Sequence, residues 1–148
     1  MKLIIQRVKE AKVSINNKIR SEIGLGYLIF LGVGESDTEK EVDYLVKKVV
    51  NLRIMPDKND KMNLSIEDII GEIMVVSQFT LSANVQKGNR PSFISAADPK
   101  TGQHYYQEFI SRLKNLGLTV ASGQFGAYMK VELTNDGPVT IILNSKSQ

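Results

Sequence analysis

Along the 148-residue chain, the apolar positions change period several times, and each change predicts an element. In "MKLIIQRVKEAKVSI", Val8, Val13 and Ile15 fall in a broken period of two, which predicts two short strands. A glycine-rich connection leads into a third apolar run, "GYLIFLGVG". The period then lengthens. In "SDTEKEVDYLVKKVVNL", Val42, Leu45, Val46 and Val49 recur at i, i+3, i+4 and i+7, the stripe of an amphipathic helix. Ser36 and Glu39 have the spacing of a capping box at its start. Residues 53–71, with Pro56, Asp57, Asn59 and Asp60, read as a loop, and "EIMVVSQFTL" (72–81) as a buried strand. A second helix is predicted from Asp98, with Pro99 at its first position, to about Leu116 before Gly117. Tyr106, Phe109, Leu113 and Leu116 would line its inner face. "AYMKVELT" alternates with Ala127, Met129, Val131 and Leu133 on one face, and "VTIIL" closes the chain as a strand. Six or seven strands against two helices predict an α/β or α+β arrangement, with helices covering one side of a mixed sheet system.

Between the last two strands lies "TNDGPVTIIL" (134–143), which has the residues of a tight hairpin turn followed by a proline where the next strand should begin. Pro138 has no N–H to give to a ladder, so a simple hairpin does not account for it.

The length predicts one domain, 1–148, able to bury a core of its own. No cysteine is present, which removes disulfides, thiol nucleophiles and thiolate metal sites, and the single histidine, His104, removes imidazole clusters. No metal or cofactor is expected. The opening apolar run is interrupted by Arg7, Lys9 and Glu10, and no stretch approaches the ~18 apolar residues of a membrane span, so a cytoplasmic protein with no membrane partner is expected. A net charge of +3 permits a polyanionic partner without requiring one.

Local chemistry is sparse. Ser77, Gln78, Phe79 and Thr80 directly follow an apolar run; they read either as a strand reaching the sheet edge or as hydroxyls and backbone N–H groups presented to a ligand. A hydroxyl nucleophile needs a base, and no Ser/His/Asp pattern surrounds the lone histidine. In "GNRPSF" (88–93), Arg90 near Phe93 fits a nucleotide contact or a solvated loop pinned by one ring.

Taken as a pair, "SQFTL" (77–81) and "NDGPVT" (135–140), about 60 residues apart, resemble the two signature motifs of D-aminoacyl-tRNA deacylases, also called D-tyrosyl-tRNA deacylases. The resemblance runs through essentially the whole chain and includes "QRV" (6–8), "GNRPSF" (88–93) and "FGAYM" (125–129). It implies a three-layer β/β/α sandwich with mixed β-sheets and two main helices, working as a homodimer. It implies an editing hydrolase that cleaves the ester of D-aminoacyl-tRNA, and of glycyl-tRNA(Ala), while rejecting L-aminoacyl-tRNA, with catalysis assisted by the 2′-hydroxyl of the tRNA. It places Ser77, Gln78, Phe79 and Thr80 in the active site. It also implies that the Gly137–Pro138 peptide is cis and enters the active site of the partner subunit as a chiral filter. X-Pro is the linkage for which cis costs only about 0.5–1 kcal/mol. Arg7 is carried over as a support for that turn and Met129 as a pocket residue near the adenosine. Two other classes compete: a non-catalytic RNA-binding module, and a general esterase with Thr80 as nucleophile.

Overall fold

The computed structural model describes residues 1–86 and 88–146; the last two positions of the expected 1–148 domain lie outside the described residues. The broken alternation at the start belongs to one strand, β1 (Lys2–Ile15), where two were expected. Leu3 and Ile5 bury on one face, whereas Val8, Ala11 and Val13 bury together on the other. The parity changes at Lys9, where pairing slips from Val8–Asn135 to Glu10–Thr134. One extra residue on one strand is a β-bulge, and a bulge interrupts a period of two without ending the strand.

β2 (Lys18–Ile23) and β3 (Gly26–Gly32) lie antiparallel to the two halves of β1. Asn16 and Asn17, both at positive φ, turn the hairpin, as a two-residue connection prefers. Then follow α1 (Glu39–Val50), β4 (Met55–Pro56), β5 (Met62–Leu64), β6 (Glu72–Ser77), a 3₁₀ turn (Phe79–Ser82), α2 (Pro99–Asn115), β7 (Thr119–Ser122) and β8 (Lys130–Asn144). β6 runs parallel to β3, and β7 parallel to β6. Parallel neighbours need crossover connections, and α1 and α2 lie in those two crossovers. The result is one six-stranded mixed sheet, β2-β1-β3-β6-β7, with β8 also paired to β1. β4 and β5 form a separate two-stranded ribbon where the sequence reads as a loop.

Two hydrophobic clusters occupy opposite faces of β3 and β6. Tyr27, Ile29, Leu31, Ile73 and Val75 join Val42, Leu45 and Val49 of α1 and Phe109 and Leu113 of α2. Leu28, Met74 and Val76 join Val8, Ala11 and Val13. Burial on both sides explains why these two strands read as continuous apolar runs rather than alternating ones.

The helix boundaries hold except in two details. The capping box of α1 is formed by Thr38 and Glu41, not by Ser36 and Glu39. Asp37 is turned inward, where it accepts from the Gly34 N–H at 2.6 Å and pairs with the Met1 ammonium at 2.6 Å, and the cap falls two residues later than expected. Ser36 instead meets the Lys146 ammonium. On α2, Asp98 caps the N–H groups of Lys100 and Thr101 as expected. Ile110, rather than the exposed Leu116, completes its buried face.

Two strands were expected on either side of the 134–137 turn, but β8 is continuous. Between the pairs Gln6–Thr140 and Val8–Asn135, β1 contributes only Arg7 while β8 contributes Asp136, Gly137, Pro138 and Val139. The turn residues form a wide bulge opposite Arg7, and the chain then continues in its original direction. The Gly137–Pro138 peptide is cis.

Two buried phenols make the fold sensitive to alkali. Burial raises Tyr27, which donates to the Leu52 carbonyl at 3.1 Å, and the nearby Arg7 partly opposes the shift. Burial likewise pushes Tyr106, which donates to the Val75 carbonyl at 2.9 Å, up from 10.0 to about 12. A phenol raised on folding stabilises the fold fully below its unfolded value, and that contribution disappears as pH rises through the folded value. The Tm should therefore fall between about pH 10 and 12, and Tyr106→Phe should flatten that decline. An equally steep decline in the variant would assign it to other groups. Among the described residues, no helix is long and apolar enough to cross a membrane.

Candidate active site

The parallel strand β6 ends at Ser77, and the chain turns at once. Carboxyl ends of parallel strands are where open α/β sheets form ligand crevices. The predicted strand 72–81 thus stops four residues early: Gln78 donates its N–H to the Leu31 carbonyl at 2.8 Å, and Phe79–Ser82 winds into the 3₁₀ turn. Gly32 of β3 permits this. A Cβ there would lie 2.9 Å from the Leu81 Cβ and 3.0 Å from the Gln78 carbonyl oxygen.

In that turn the first N–H groups with helical partners are those of Leu81 and the residues after it. Among the described residues, the N–H groups of Phe79 and Thr80 donate to nothing. A 3₁₀ turn leaves its leading donors free in this way. The Thr80 hydroxyl accepts from the Gln78 side-chain amide. His104 is exposed on α2 and its ring lies beside that of Tyr105, tilted by 54° with centroids 5.0 Å apart.

A cavity of about 520 Å³ opens beside the turn. Ser77, Gln78 and Phe79 form one wall, Pro99 at the start of α2 another, and Phe125 with Met129 a third. This volume falls within the ~300–1,000 Å³ of small-ligand pockets. Met129 faces the cavity and packs on the second hydrophobic cluster. Thr80 stands exposed just off the wall. Phe79, 59 % exposed, meets Phe93 edge-on at 5.1 Å, so "GNRPSF" is pinned by its aromatic ring while Arg90 stays exposed.

Arg7 is 8 % exposed and is held by the bulge it opposes. Its Nε donates to the Asp136 carbonyl at 2.9 Å and pairs with the Asp136 carboxylate at 3.3 Å, while Nη1 donates to the Ile54 carbonyl at 2.6 Å. Asp136 had no special place in the sequence reading, although an acid beside a turn facing a strand arginine is the only available signal. Gly137 adopts φ +130°, and a Cβ there would lie 2.9 Å from Val139 Cγ2 and 3.0 Å from Arg7 Nη2.

Gly137 and Pro138 are exposed and lie away from the cavity of their own chain. Ser77 is level with Leu31 on β3, Leu3 on β1 and Leu143 on β8, whereas the bulge faces Arg7. Three inter-strand spacings and four residues along β1 separate them by roughly 20 Å at ordinary sheet dimensions.

The family model described as D-Tyr-tRNA(Tyr) deacylase matches residues 4–144. A D-aminoacyl-tRNA deacylase from Pseudoalteromonas translucida is 57% identical over 143 residues, covering 97% of this chain and 99% of that protein. One from Finegoldia magna is 51% identical over the full length of both. Among solved structures, a protein named c-Myc DNA Unwinding Element Binding Protein superposes with TM-score 0.93 at 40% identity, covering 99% of this chain and 100% of the other. A probable eukaryotic D-amino acid tRNA deacylase superposes with TM-score 0.84 at 17% identity, covering 96% and 97%, a likeness of fold.

Proposed function

Because the chain belongs to the D-Tyr-tRNA(Tyr) deacylase family, we propose that it is an editing hydrolase that cleaves the ester of D-aminoacyl-tRNAs to free tRNA and D-amino acid. The observation that carries this reading is the cavity at the end of β6, flanked by two backbone N–H groups that are free among the described residues and lined by no side-chain base among them. An aminoacyl ester with a protonated α-amine is already labile. Holding it in place and stabilising negative charge on its carbonyl oxygen is enough to accelerate its cleavage. The N–H groups of Phe79 and Thr80 supply that stabilisation, Ser77 and Gln78 shape the wall, and the 2′-hydroxyl of the terminal ribose assists the reaction. Thr80 is a pocket residue, since its hydroxyl is engaged by an amide rather than a base.

Selection of the D form follows from sterics. The Gly137–Pro138 bulge of a second copy enters the cavity, its carbonyls accept from the α-amine, and an L side chain would be driven into backbone. The roughly 20 Å between bulge and cavity within one chain argues for a homodimer. Arg7 holds the bulge in shape, and Met129 borders the terminal adenosine. Glycine has no side chain to exclude, so glycyl-tRNA(Ala) is also a substrate. In this reading the whole chain is one domain, with helices, central strands and the curled outer part of the sheet as a three-layer β/β/α sandwich.

Incubation with D-Tyr-tRNA and L-Tyr-tRNA, following release of each amino acid, tests the reading. Rapid release of D-tyrosine with L-Tyr-tRNA left intact is the expected result. Tight binding of both with release of neither would make the protein an RNA-binding module instead.

A further inference from the structure

Tyr128 lies on the wall of the cavity, yet its residue surface is 88 % exposed. A ring in that position stands at the mouth rather than inside. Its setting explains why. Gly126, at φ +74°, turns the chain just before β8, and from there the exposure alternates. Ala127, Met129 and Val131 are partly buried, while Tyr128 and Lys130 are exposed.

Among the described residues the Tyr128 hydroxyl makes no hydrogen bond and its ring no aromatic pair. The other exposed aromatic residue on the rim, Phe79, is already packed on Phe93. The cavity volume suits one aminoacylated nucleoside, so the nucleotide before it must sit outside the mouth. That part of a tRNA 3′ end is single-stranded, with an unstacked base and a phosphate on each side. A free aromatic face is the feature that holds such a nucleotide, because stacking tolerates any base.

Resting on the deacylase reading above, we propose that Tyr128 is the stacking platform for the penultimate nucleobase of the tRNA 3′ end. Tyr128 therefore acts on substrate affinity and lets the enzyme distinguish a tRNA terminus from a free aminoacyl nucleoside.

The test compares D-Tyr-tRNA with the 3′-D-tyrosyl ester of adenosine, which lacks the penultimate nucleotide. Tyr128→Ala should raise KM for D-Tyr-tRNA by about ten- to a hundredfold, the range a stacked base contributes, with kcat changed far less. The change in KM for the adenosine ester should be at least about tenfold smaller, and Tyr128→Phe should behave as the parent protein. Equal losses on both esters, or none on either, would overturn the proposal. So would a Tyr128→Ala protein that sediments as a monomer where the parent is a dimer, because the ring would then belong to an interface. Failure of the parent protein to cleave either ester would overturn the deacylase reading itself.

Discussion

Deacylation of D-Tyr-tRNA should survive Thr80→Ala within about tenfold, yet fall by roughly two to four orders of magnitude when the terminal ribose lacks its 2′-hydroxyl, the span of a lost proton-transfer group. The two halves of this result have separate physical origins. In the proposed mechanism Thr80 contributes its backbone N–H, which the substitution leaves in place, and its hydroxyl accepts from the Gln78 amide, a group that cannot take a proton. His104 stands on α2, packed on Tyr105 and apart from the residues of the cavity. With no base among the described residues of the cavity, the neighbouring hydroxyl of the substrate becomes the group whose removal costs most. Single-turnover rates of both proteins on ribo- and 2′-deoxy-terminated substrates measure both effects. An inactive but folded Thr80→Ala protein, together with normal cleavage of the deoxy substrate, would move the nucleophile to the enzyme.

The second large effect belongs to Gly137. If the bulge of one copy enters the cavity of the other as proposed, Gly137→Ala should lower D-Tyr-tRNA cleavage by about a hundredfold without admitting L-Tyr-tRNA, because the added methyl group reshapes the bulge that meets the substrate. The backbone there has φ +130°, and a Cβ would press on Val139 and on the Arg7 guanidinium. A side chain forced into such a conformation costs about 1–3 kcal/mol, which a domain of this size tolerates, so the Tm should fall modestly while activity falls steeply. Paired measurement of Tm and of both cleavage rates separates the two. Full activity on the D substrate would show that the shape of the bulge is not used in selection.

The helices were legible because their signals are local. Asp98 followed by Pro99 opens α2 whatever the rest of the chain does, and the stripe from Val42 to Val49 needs no partner to be recognised. The strands were less so. Lys9 divides β1 in the sequence but only bulges it in the fold, because β8 runs along the whole length of β1 and decides which residues face in. The turn signal at 134–137 suffered the same fate. Asn135, Asp136 and Gly137 have the chemistry of a reversal, yet the direction of the chain is set by Thr140, Ile141 and Ile142, which pair again with β1. At the site, the motif residues were visible from the sequence, but the feature that makes them useful is a pair of unbonded N–H groups, and backbone donors have no letter in a sequence. Tyr128 was hidden differently: only the alternation of burial shows that it stands outside the wall it belongs to.

The burial of β3 and β6 on both faces has a kinetic consequence. Strands enclosed by two hydrophobic clusters cannot expose their amides without separating helices from sheet on one side and sheet from its own curled edge on the other, so they open only when the whole protein opens. The 3₁₀ turn that follows β6 has no buried residue of its own. The molecule thus holds one of its slowest-opening strands and a readily opened turn with only Gln78 between them. Substrate can come and go at the turn many times within the lifetime of a single native fold.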